Sequence, residues 1–287
     1  MSSSPKISVV TPSFNSVHTL RETIESVRAQ DYPNWEHLVM DGGSTDGTLD
    51  ILKEYPHLQW ISEKDEGHYH AMNKGILRAG GDVVNILNAD DGYRPGALRT
   101  VAEAFTAHPD WEGLFGDIVY VDAQGREIYR REEAKYDYRV LLYSGVCYVI
   151  HQTLFVKKGV HDRLGLYRHK EFKNCCDWDF ILALGRAGCR VGHVPSLLVD
   201  YRYHDFGQSA DRRVTANMAR ESAIIRQAHG VPPGWRGRVL RFVFRGKRQF
   251  QKFVYRGKLD LVPGTWKLRK HMRAKTQFQS NIVIDPP

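Results

Sequence analysis

The stretch Val83-Val84-Asn85-Ile86-Leu87-Asn88-Ala89-Asp90-Asp91 decides how the rest of this 287-residue sequence is interpreted. Its first five residues are mostly apolar and β-branched, and glycines interrupt the chain before and after it, which predicts a buried strand of an α/β sheet. Two adjacent carboxylates therefore follow the carboxyl end of a core strand, where open α/β sheets bind ligands. They repel each other unless a cation holds them, so the stretch predicts a site for Mg²⁺ or Mn²⁺ bound with a ligand's phosphates. A solvated Asp-Asp-Gly turn is the alternative.

Short apolar runs alternate with helical patterns on either side of this stretch. Leu20, Ile24 and Val27, for example, have the spacing of one face of an amphipathic helix. Such alternation predicts a parallel sheet with helices on both faces. Strands are predicted at 7–11, 35–40, 58–62, 83–87, 114–121, 151–156 and 197–204. The last is expected at a sheet edge, because Pro195 comes just before it.

The composition is that of a soluble globular protein. No apolar run approaches the roughly twenty residues that span a bilayer, and the first six residues lack the apolar centre of a signal peptide. The four cysteines show no metal-ligand spacing, and two of them, Cys175 and Cys176, are adjacent. We therefore expect reduced thiols in a cytoplasmic protein.

The positive charge is concentrated near the carboxyl terminus. Between Pro232 and Lys275 there are eight Arg and six Lys against one Asp, a net charge of +13, which leaves −5 for the rest of a chain whose total is +8. We predict a mildly acidic body at 1–212 and a basic, aromatic-rich helical extension at 213–287.

Four motifs resemble a known family when they are taken in order: 11–15 (Thr-Pro-Ser-Phe-Asn), 41–48 (Asp-Gly-Gly-Ser-Thr-Asp-Gly-Thr), 71–75 (Ala-Met-Asn-Lys-Gly) and 87–91 (Leu-Asn-Ala-Asp-Asp). Together they resemble the family 2 glycosyltransferases, over about the first three-quarters of the chain. The resemblance implies an α/β protein of the GT-A type, with a Rossmann-like mixed, mainly parallel sheet flanked by helices. The basic helical extension follows that fold.

The resemblance also implies a nucleotide-diphosphate sugar donor, with a UDP-sugar favoured. Asp41 would accept a hydrogen bond from the base, although Asp-Gly-Gly also permits a carboxylate that holds its own turn. The other donor-binding residues implied are Thr11, Pro12, Asn15, Ser44, Asn73, Asn88 and Asp90.

The Asp-x-Asp motif of the family falls on Asn88-Ala89-Asp90, so an amide replaces its first carboxylate. The resemblance then implies Asp90 and Asp91 as ligands of Mn²⁺ or Mg²⁺. His204 would be a third metal ligand or a phosphate contact, and a histidine in a surface loop is the alternative. The metal would neutralise the diphosphate leaving group.

An inverting transfer needs a general base to deprotonate the acceptor hydroxyl. The resemblance assigns this role to Asp177 at the start of a helix, with Cys176 where the family usually has Glu. A carboxylate in a first helical turn is also a common cap, and Asp179 is the second choice for the base. His151 and Gln152 resemble the segment that flanks the acceptor.

Aromatic and basic residues are interleaved in the extension, for example at Trp235, Phe242, Phe250 and Phe253. This mixture favours an amphipathic segment on an anionic membrane surface. A basic helix packed on the body is the alternative, and nucleic acid is not the expected partner.

The sequence therefore predicts a metal-dependent inverting hexosyltransferase that acts on a glycan or polyprenyl-linked acceptor in cell-surface polysaccharide biosynthesis. It would work in the cytoplasm, peripherally on the inner face of the membrane. The alternative is a catalytically degenerate scaffold protein tethered through its basic tail, which the Asn88 and Cys176 departures would permit. A nucleotidyltransferase is disfavoured, because the residues after the first strand are not a Gly-rich phosphate loop.

Overall fold

A computed structural model describes residues 4–203 and 212–257. A mixed sheet of nine strands forms the centre of the described part, and helices cover both of its faces. The strands are β1 (Ile7–Ser13), β2 (Trp35–Asp41), β3 (Gln59–Ser62), β4 (Val83–Ile86), β5 (Gly92–Tyr93), β6 (Gly113–Val121), β7 (Glu127–Arg131), β8 (Phe155–Lys157) and β9 (Val191–Arg202). The helices are α1 (Leu20–Arg28), α2 (Thr48–Lys53), α3 (His68–Arg78), α4 (Ala97–Ala107), α5 (Tyr138–Ser144), α6 (Lys158–Leu164), α7 (Cys176–Arg186), α8 (Arg212–Ala228) and α9 (Gly234–Arg256).

The amino-terminal half of the sheet is parallel, as the alternating pattern predicts. The strand order is β3-β2-β1-β4, and in the register Ser13 pairs with Asp41, which pairs in turn with Ser62. Because β1, β2 and β3 end level with one another and the parallel β4 ends beside Val10 of β1, the loops that follow these strands meet at one edge of the sheet. This edge carries the candidate site.

The other half of the sheet differs from the sequence prediction in two places. Residues 151–153 form a short 3₁₀ helix instead of the start of a strand, so β8 is confined to Phe155–Lys157. β9 lies between β6 and β5 and is not an edge strand. Pro195 is tolerated because the pairing of β9 with β6 is irregular there, shifting register between the His193 and Leu197 pairs.

Close packing of α3 on the sheet fixes one wall of the site. Gly75 of α3 is buried, and a Cβ atom added to it would lie 2.2 Å from Val10 of β1 and 3.2 Å from Met40 of β2. A glycine is therefore needed for the helix to approach the strands this closely. This close approach helps to set how far His68 and Tyr69, at the amino terminus of α3, lie from the sheet.

The described part of the extension packs on the body. In α8, Ile225 is fully buried and the guanidinium of Arg226 donates to the carbonyls of Leu142 (3.0 Å) and Tyr143 (3.3 Å) in α5. α9 then crosses α5. No helix in the two described ranges is long and apolar enough to span a bilayer.

Buried ion pairs attach α9. Arg248 donates to both oxygens of Glu133 at 2.7 Å, and Arg256 pairs with Asp117. Lys252 of α9 is also buried, with its ammonium 3.8 Å from Glu133. Both carboxylates belong to the body and are almost fully buried, so the cations of α9 neutralise charges that the body has already removed from water.

Candidate active site

Asp41, at the end of β2, holds the loop that follows it. The carboxylate is fully buried and accepts four hydrogen bonds: from the backbone N–H groups of Gly43 (3.0 Å) and Ser44 (2.9 Å), and from the hydroxyls of Ser44 (2.5 Å) and Ser62 (2.6 Å). This is the turn-holding role left open by the sequence. To contact a base directly, Asp41 would have to be uncovered by a change in this loop.

Ser44 also ties the loop after β2 to the loop after β1. Its hydroxyl accepts from the backbone N–H of Asn15 at 2.7 Å, and the Asn15 side chain accepts from Thr45 at 3.0 Å. Asn15 has a positive φ of 49° and is exposed at the mouth of the site. Asparagine is one of the residues that tolerate this backbone conformation.

Two predicted donor-binding side chains are engaged inside the protein. The hydroxyl of Thr11 is buried 2.9 Å from Nε2 of His37, and burial lowers the pKa of His37 to about 3. Asn73 exchanges two hydrogen bonds with the backbone of Tyr167, at 2.8 and 3.0 Å. Neither group is turned towards the sheet edge in this structure, and Pro12 is buried as well.

Phe14, in contrast, is 63% exposed beside the same loop. A Cβ atom added to Gly42 would lie 3.3 Å from its ring and 2.7 Å from Oδ2 of Asp65, so these three residues surround one small area. Lys74 lies behind the adjoining loop, with its buried ammonium 3.2 Å from Glu63 but without a geometrically acceptable hydrogen bond. A flat ring, a carboxylate and a buried cation thus border this end of the site.

The two carboxylates that follow β4 differ in burial. Asp91 is buried, and its oxygens accept from the backbone N–H of Arg202 (2.9 Å) and from the side chain of Gln152 (2.8 Å). Burial and the neighbouring charge of Asp90 raise the pKa of Asp91 well above its ordinary value. Asp90 is partly exposed, and its carbonyl accepts from Arg202 at 3.1 Å. Asp91 therefore supports the turn, whereas Asp90 is the more accessible of the two carboxylates.

Gln152 does not occupy the position expected of an acceptor-binding residue. Its side chain lies beneath the turn, only 1% exposed, and its backbone carbonyl accepts from Asn85 at 3.1 Å. The 3₁₀ helix that replaces the predicted strand turns Gln152 inward and its neighbour His151 outward.

His151 joins the turn after β4 to the start of α7. Its Nε2 lies 3.3 Å from Oδ1 of Asn88, and its Nδ1 lies 3.4 Å from Oδ2 of Asp177. The amide that replaces the first carboxylate of the Asp-x-Asp motif and the carboxylate at the start of α7 are thus on opposite sides of one imidazole ring. The residue expected to contact an acceptor also connects Asn88 with Asp177.

Asp177 is held by a second contact. The hydroxyl of Tyr69, in α3, donates to its Oδ1 at 2.8 Å. Burial alone would raise the pKa of Asp177, but hydrogen bonding and attraction from His151, followed by the Tyr69 hydrogen bond, bring it below its ordinary value. Burial and the charge of Asp177 raise the pKa of Tyr69 well above its ordinary value, so Tyr69 remains a donor. The result is an ionised, partly exposed carboxylate.

The residues around Asp177 explain the other candidates at the start of α7. Cys176 is fully buried and its thiol donates to the carbonyl of Phe172 at 3.1 Å. Asp179 forms a two-pronged ion pair with Arg168 at 2.8 and 2.6 Å. Asp179 is therefore committed to structure, which leaves Asp177 as the available carboxylate. His68 lies close by, and burial lowers its pKa to about 4.

His204 lies outside the described residues. Within the described ranges, no group of three or more His, Cys, Asp or Glu side chains is arranged to hold a metal ion. Mg²⁺ bound with nucleotide phosphates often uses only one or two protein carboxylates, and Asp90 fits that requirement by chemistry and exposure.

Sequence reasoning missed Tyr69, Phe14, Lys74 and Arg202. Phe14 and Lys74 lie within two of the four motifs, but the family resemblance implies roles for neighbouring residues of those motifs. Tyr69 contacts a residue 108 positions away, and no local pattern contains that information.

Residues 8–165 match the family model for glycosyl transferase family 2, which is more than half of the chain. The chain belongs to glycosyl transferase family 2. An uncharacterized glycosyltransferase of Mycobacterium tuberculosis is 34% identical over 190 residues, covering 63% of this chain and 70% of that protein. A PGL/p-HBAD biosynthesis glycosyltransferase of Mycobacterium bovis is 30% identical over 216 residues, covering 71% and 78%.

Solved structures confirm the GT-A fold of this family member. Staphylococcus aureus TarS in complex with UDP-GlcNAc matches with a TM-score of 0.62 at 18% identity, covering 89% of this chain and 77% of that chain. The mannosyltransferase PcManGT from Pyrobaculum calidifontis, in complex with GDP-Man and Mn²⁺, matches with a TM-score of 0.58 at 20% identity, covering 86% and 70%.

Proposed function

We propose that this protein is a metal-dependent inverting hexosyltransferase that moves a sugar from a nucleotide diphosphate, with UDP favoured, to an acceptor hydroxyl. The observation that carries the proposal is the bridge from Asn88 through His151 to Asp177. It brings an ionised carboxylate within one imidazole of the turn where a diphosphate would lie. A base on one side of the anomeric carbon and a leaving group on the other is the arrangement that inversion needs.

The nucleoside end of the donor fits the area bordered by Phe14, Gly42 and Asp65. An exposed aromatic ring offers a stacking surface for a base, and its low conformational entropy favours binding. Asp41, Asn15 and Ser44 hold the two loops that form this area. We assign them to nucleoside binding through the shape of the loops, and Lys74 to the attraction of a polar group on the base.

Asp90 would hold Mn²⁺ or Mg²⁺ together with the donor's phosphates, and Asn88 would face the sugar or the ribose. The metal, when bound, neutralises charge on the departing diphosphate. Asp91 keeps Asp90 in place through its bonds to Gln152 and Arg202. The complexes of TarS with UDP-GlcNAc and of PcManGT with GDP-Man and Mn²⁺ support a nucleotide sugar and a divalent ion for a protein of this fold.

Asp177 would accept the proton of the acceptor hydroxyl as it attacks. Two hydrogen bonds, from Tyr69 and His151, fix the carboxylate and keep it ionised. His151 orients the base and also flanks the acceptor in this proposal.

The test is nucleotide release from a panel of UDP-, GDP- and dTDP-sugars, with and without Mn²⁺ or Mg²⁺. We expect slow, metal-dependent release from one donor. Asp177→Asn should lower turnover by about 10²- to 10⁴-fold, the usual contribution of a general base, without weakening nucleotide binding. Asp90→Asn should weaken metal-dependent nucleotide binding as well. Unchanged turnover in both variants would contradict the proposal, and absence of nucleotide binding would favour the scaffold alternative.

The acceptor proposed is a glycan or a polyprenyl-linked sugar in the synthesis of cell-surface polysaccharide. Two relatives support this assignment by their names: the PGL/p-HBAD biosynthesis glycosyltransferase, and a putative teichuronic acid biosynthesis glycosyltransferase of Bacillus subtilis, 37% identical over 105 residues that cover 34% of this chain and 41% of that protein. The proposed location is the cytoplasmic face of the membrane.

The two faces of α9 support membrane attachment. One face is bound to the body by ion pairs and by the packing of Phe244 on Tyr143, whose ring centres are 4.9 Å apart. The opposite face exposes an apolar stripe with helical spacing, in which Phe242 is 82% exposed. This outward stripe consists of Trp235, Val239, Phe242, Val243, Phe250, Phe253 and Val254.

Arg236 and Arg238 lie beside the outward stripe and are exposed. Apolar residues flanked by cations are typical of helices that lie in an anionic membrane surface, and each cation near the surface adds about 1 kcal/mol of attraction. The proposed occupant of the stripe is therefore an anionic phospholipid bilayer.

Co-sedimentation with vesicles tests the membrane assignment. We expect the full-length protein to bind vesicles that contain phosphatidylglycerol, weakly at high salt, and not vesicles of phosphatidylcholine alone. Phe242→Ser combined with Phe250→Ser should abolish binding, whereas Leu77→Ser, at an exposed apolar position on α3, should leave it unchanged. Equal binding by the double variant would refute the role of α9.

A further inference from the structure

Glu221, in α8, accepts four hydrogen bonds from the segment that leads into α7. Its Oε1 accepts from the backbone N–H of Lys173 (2.9 Å) and from the side-chain amide of Asn174 (3.1 Å). Its Oε2 accepts from the backbone N–H groups of Asn174 (2.9 Å) and Cys175 (3.0 Å). One carboxylate thus gathers three consecutive backbone donors.

These donors lie at the amino terminus of the helix that presents Asp177. Cys175 is the N-cap residue of α7 and forms no side-chain capping hydrogen bond, but its own backbone N–H donates to Glu221 of another helix. Backbone N–H groups at a helix start need an acceptor, and a carboxylate there also interacts favourably with the helix dipole. Glu221 supplies the acceptor and the negative charge at the residues just before Asp177.

The same segment is tied to the other support of the base. The hydroxyl of Tyr69 lies 3.3 Å from the carbonyl of Asn174 as well as 2.8 Å from Asp177. Displacement of Asn174 would therefore disturb Tyr69 and Asp177 together. Cys175 adds a second contact to α8, from its thiol to the carbonyl of Met218 at 3.6 Å.

α8 is a fixed platform for this carboxylate. Ile225 and Arg226, one turn further along the helix, are buried against the body, and Arg226 is bound to two carbonyls of α5. Glu221 is the only acidic residue in α8, so no neighbour on the helix can replace it.

We infer that Glu221 is a positioning residue for the base: the carboxyl-terminal extension supplies the carboxylate that seats Lys173, Asn174 and Cys175, and through them Asp177. This inference rests on the proposed function of Asp177. It gives Glu221 of α8 an indirect role, because Glu221 acts on the base through the segment that leads into α7.

Substitution of Glu221 tests the inference in the full-length protein. Glu221→Ala should lower kcat for nucleotide release at least tenfold and leave the dissociation constant of the donor within twofold. Glu221→Gln keeps one accepting oxygen, so its kcat should lie between those of the wild type and Glu221→Ala. In an Asp177→Asn background, Glu221→Ala should change the residual rate less than twofold, because residues that act as a unit are not additive. Gln227→Ala, at an exposed position on α8, is the matched control.

Amide hydrogen exchange gives a readout that does not depend on activity. The amides of Lys173, Asn174 and Cys175 should exchange faster in Glu221→Ala and at the wild-type rate in Gln227→Ala. If Glu221→Ala does not fold, the isosteric Glu221→Gln carries the same comparisons.

The outcomes separate this inference from the function on which it rests. Wild-type kcat in Glu221→Ala, an equal loss in the Asp177→Asn background, or a loss of donor affinity as large as the loss of kcat would overturn the role of Glu221 alone. Wild-type turnover in Asp177→Asn would instead overturn the assignment of the base.

Discussion

Nδ1 of His151 lies 3.4 Å from Oδ2 of Asp177. Burial pushes the pKa of this carboxyl group upwards, and the contact with His151 is the largest influence that brings it down below its ordinary value. The imidazole therefore lowers the pKa of the Asp177 carboxyl group as well as holding it in place. The pair should affect the pH dependence of activity.

His151→Ala should move the acidic limb of the pH profile. A general base acts only when ionised, so activity falls as the pH drops through the pKa of Asp177. Loss of His151 raises that pKa, and the limb should shift to higher pH in a plot of kcat/KM against pH. His108→Ala, at an exposed loop position, should leave the profile unchanged. An unshifted limb in His151→Ala would mean that the titrating group is not Asp177.

Asp41→Asn should destabilise the protein and weaken nucleotide binding together. The amide replaces one accepting oxygen by a donor, so at least one of the buried N–H and O–H groups that Asp41 now satisfies loses its partner. An unsatisfied buried polar group costs about 1–3 kcal/mol, measurable as a lower urea midpoint. Asp50→Asn, at an exposed position, should change neither quantity. Full nucleotide affinity in a destabilised Asp41→Asn would show that the loop's shape does not matter for binding.

Gly75→Ala should destabilise the fold by overpacking. The added methyl would meet Val10 at 2.2 Å, and overpacked cores typically lose about 1–3 kcal/mol. Gly246→Ala is the matched control, since a Cβ atom there meets nothing within 4 Å. It should stabilise α9 by about 0.5–1 kcal/mol, because alanine loses less backbone entropy than glycine in a helix. Urea unfolding of both variants gives the comparison, and equal effects would exclude tight α3 packing as the cause.

Glu133 should make stability depend on pH. Burial would raise the pKa of Glu133, but the charges of Arg131, Arg248 and Lys252 lower it below its ordinary value. Because the folded pKa is depressed, the stabilisation is complete above the unfolded pKa and is lost as the pH falls through the folded pKa. The free energy of unfolding should therefore decline over this acidic range.

Glu133→Gln should flatten that decline and cost about 3–5 kcal/mol at pH 7, since breaking a buried ion pair leaves its partner uncompensated. As a control, Glu127→Gln removes the exposed partner of Arg130 within β7. Exposed pairs contribute at most about 1 kcal/mol. Urea unfolding at several pH values distinguishes the two variants. A slope that persists in Glu133→Gln would assign the pH dependence to other carboxylates.

Local patterns predicted the parallel half of the fold well. The runs of β1, β2 and β4 are apolar because both faces of these strands are covered, and a proline or glycine comes shortly before each of them. The same reasoning failed at His151–Thr153, because these three polar residues precede the apolar run 154–156 and six residues are too few to separate a helical turn from a strand. It failed at Pro195 because a strand irregularity depends on the partner strand.

Local patterns point to single residues of the candidate site but not to the contacts that join them. Asp90 and Asp177 are marked by their places at a strand end and a helix start, both of which are local features. The contacts of His151 with Asn88 and of Tyr69 with Asp177 join residues 63 and 108 positions apart. The sequence also does not show which way a side chain points at the end of a strand. Thr11 was expected to line the nucleoside, but its hydroxyl is bound to His37 in this structure.

The ion pairs of α9 also have a consequence for the order in which the chain is made. Translation delivers Asp117 and Glu133 more than a hundred residues before their partners Arg256 and Arg248. Until those arginines leave the ribosome, the body cannot bury both carboxylates without leaving part of their charge uncompensated. A nascent chain that stops short of α9 is therefore an incompletely stabilised enzyme, and the cations that complete the fold arrive on the same helix that carries the proposed membrane-binding stripe.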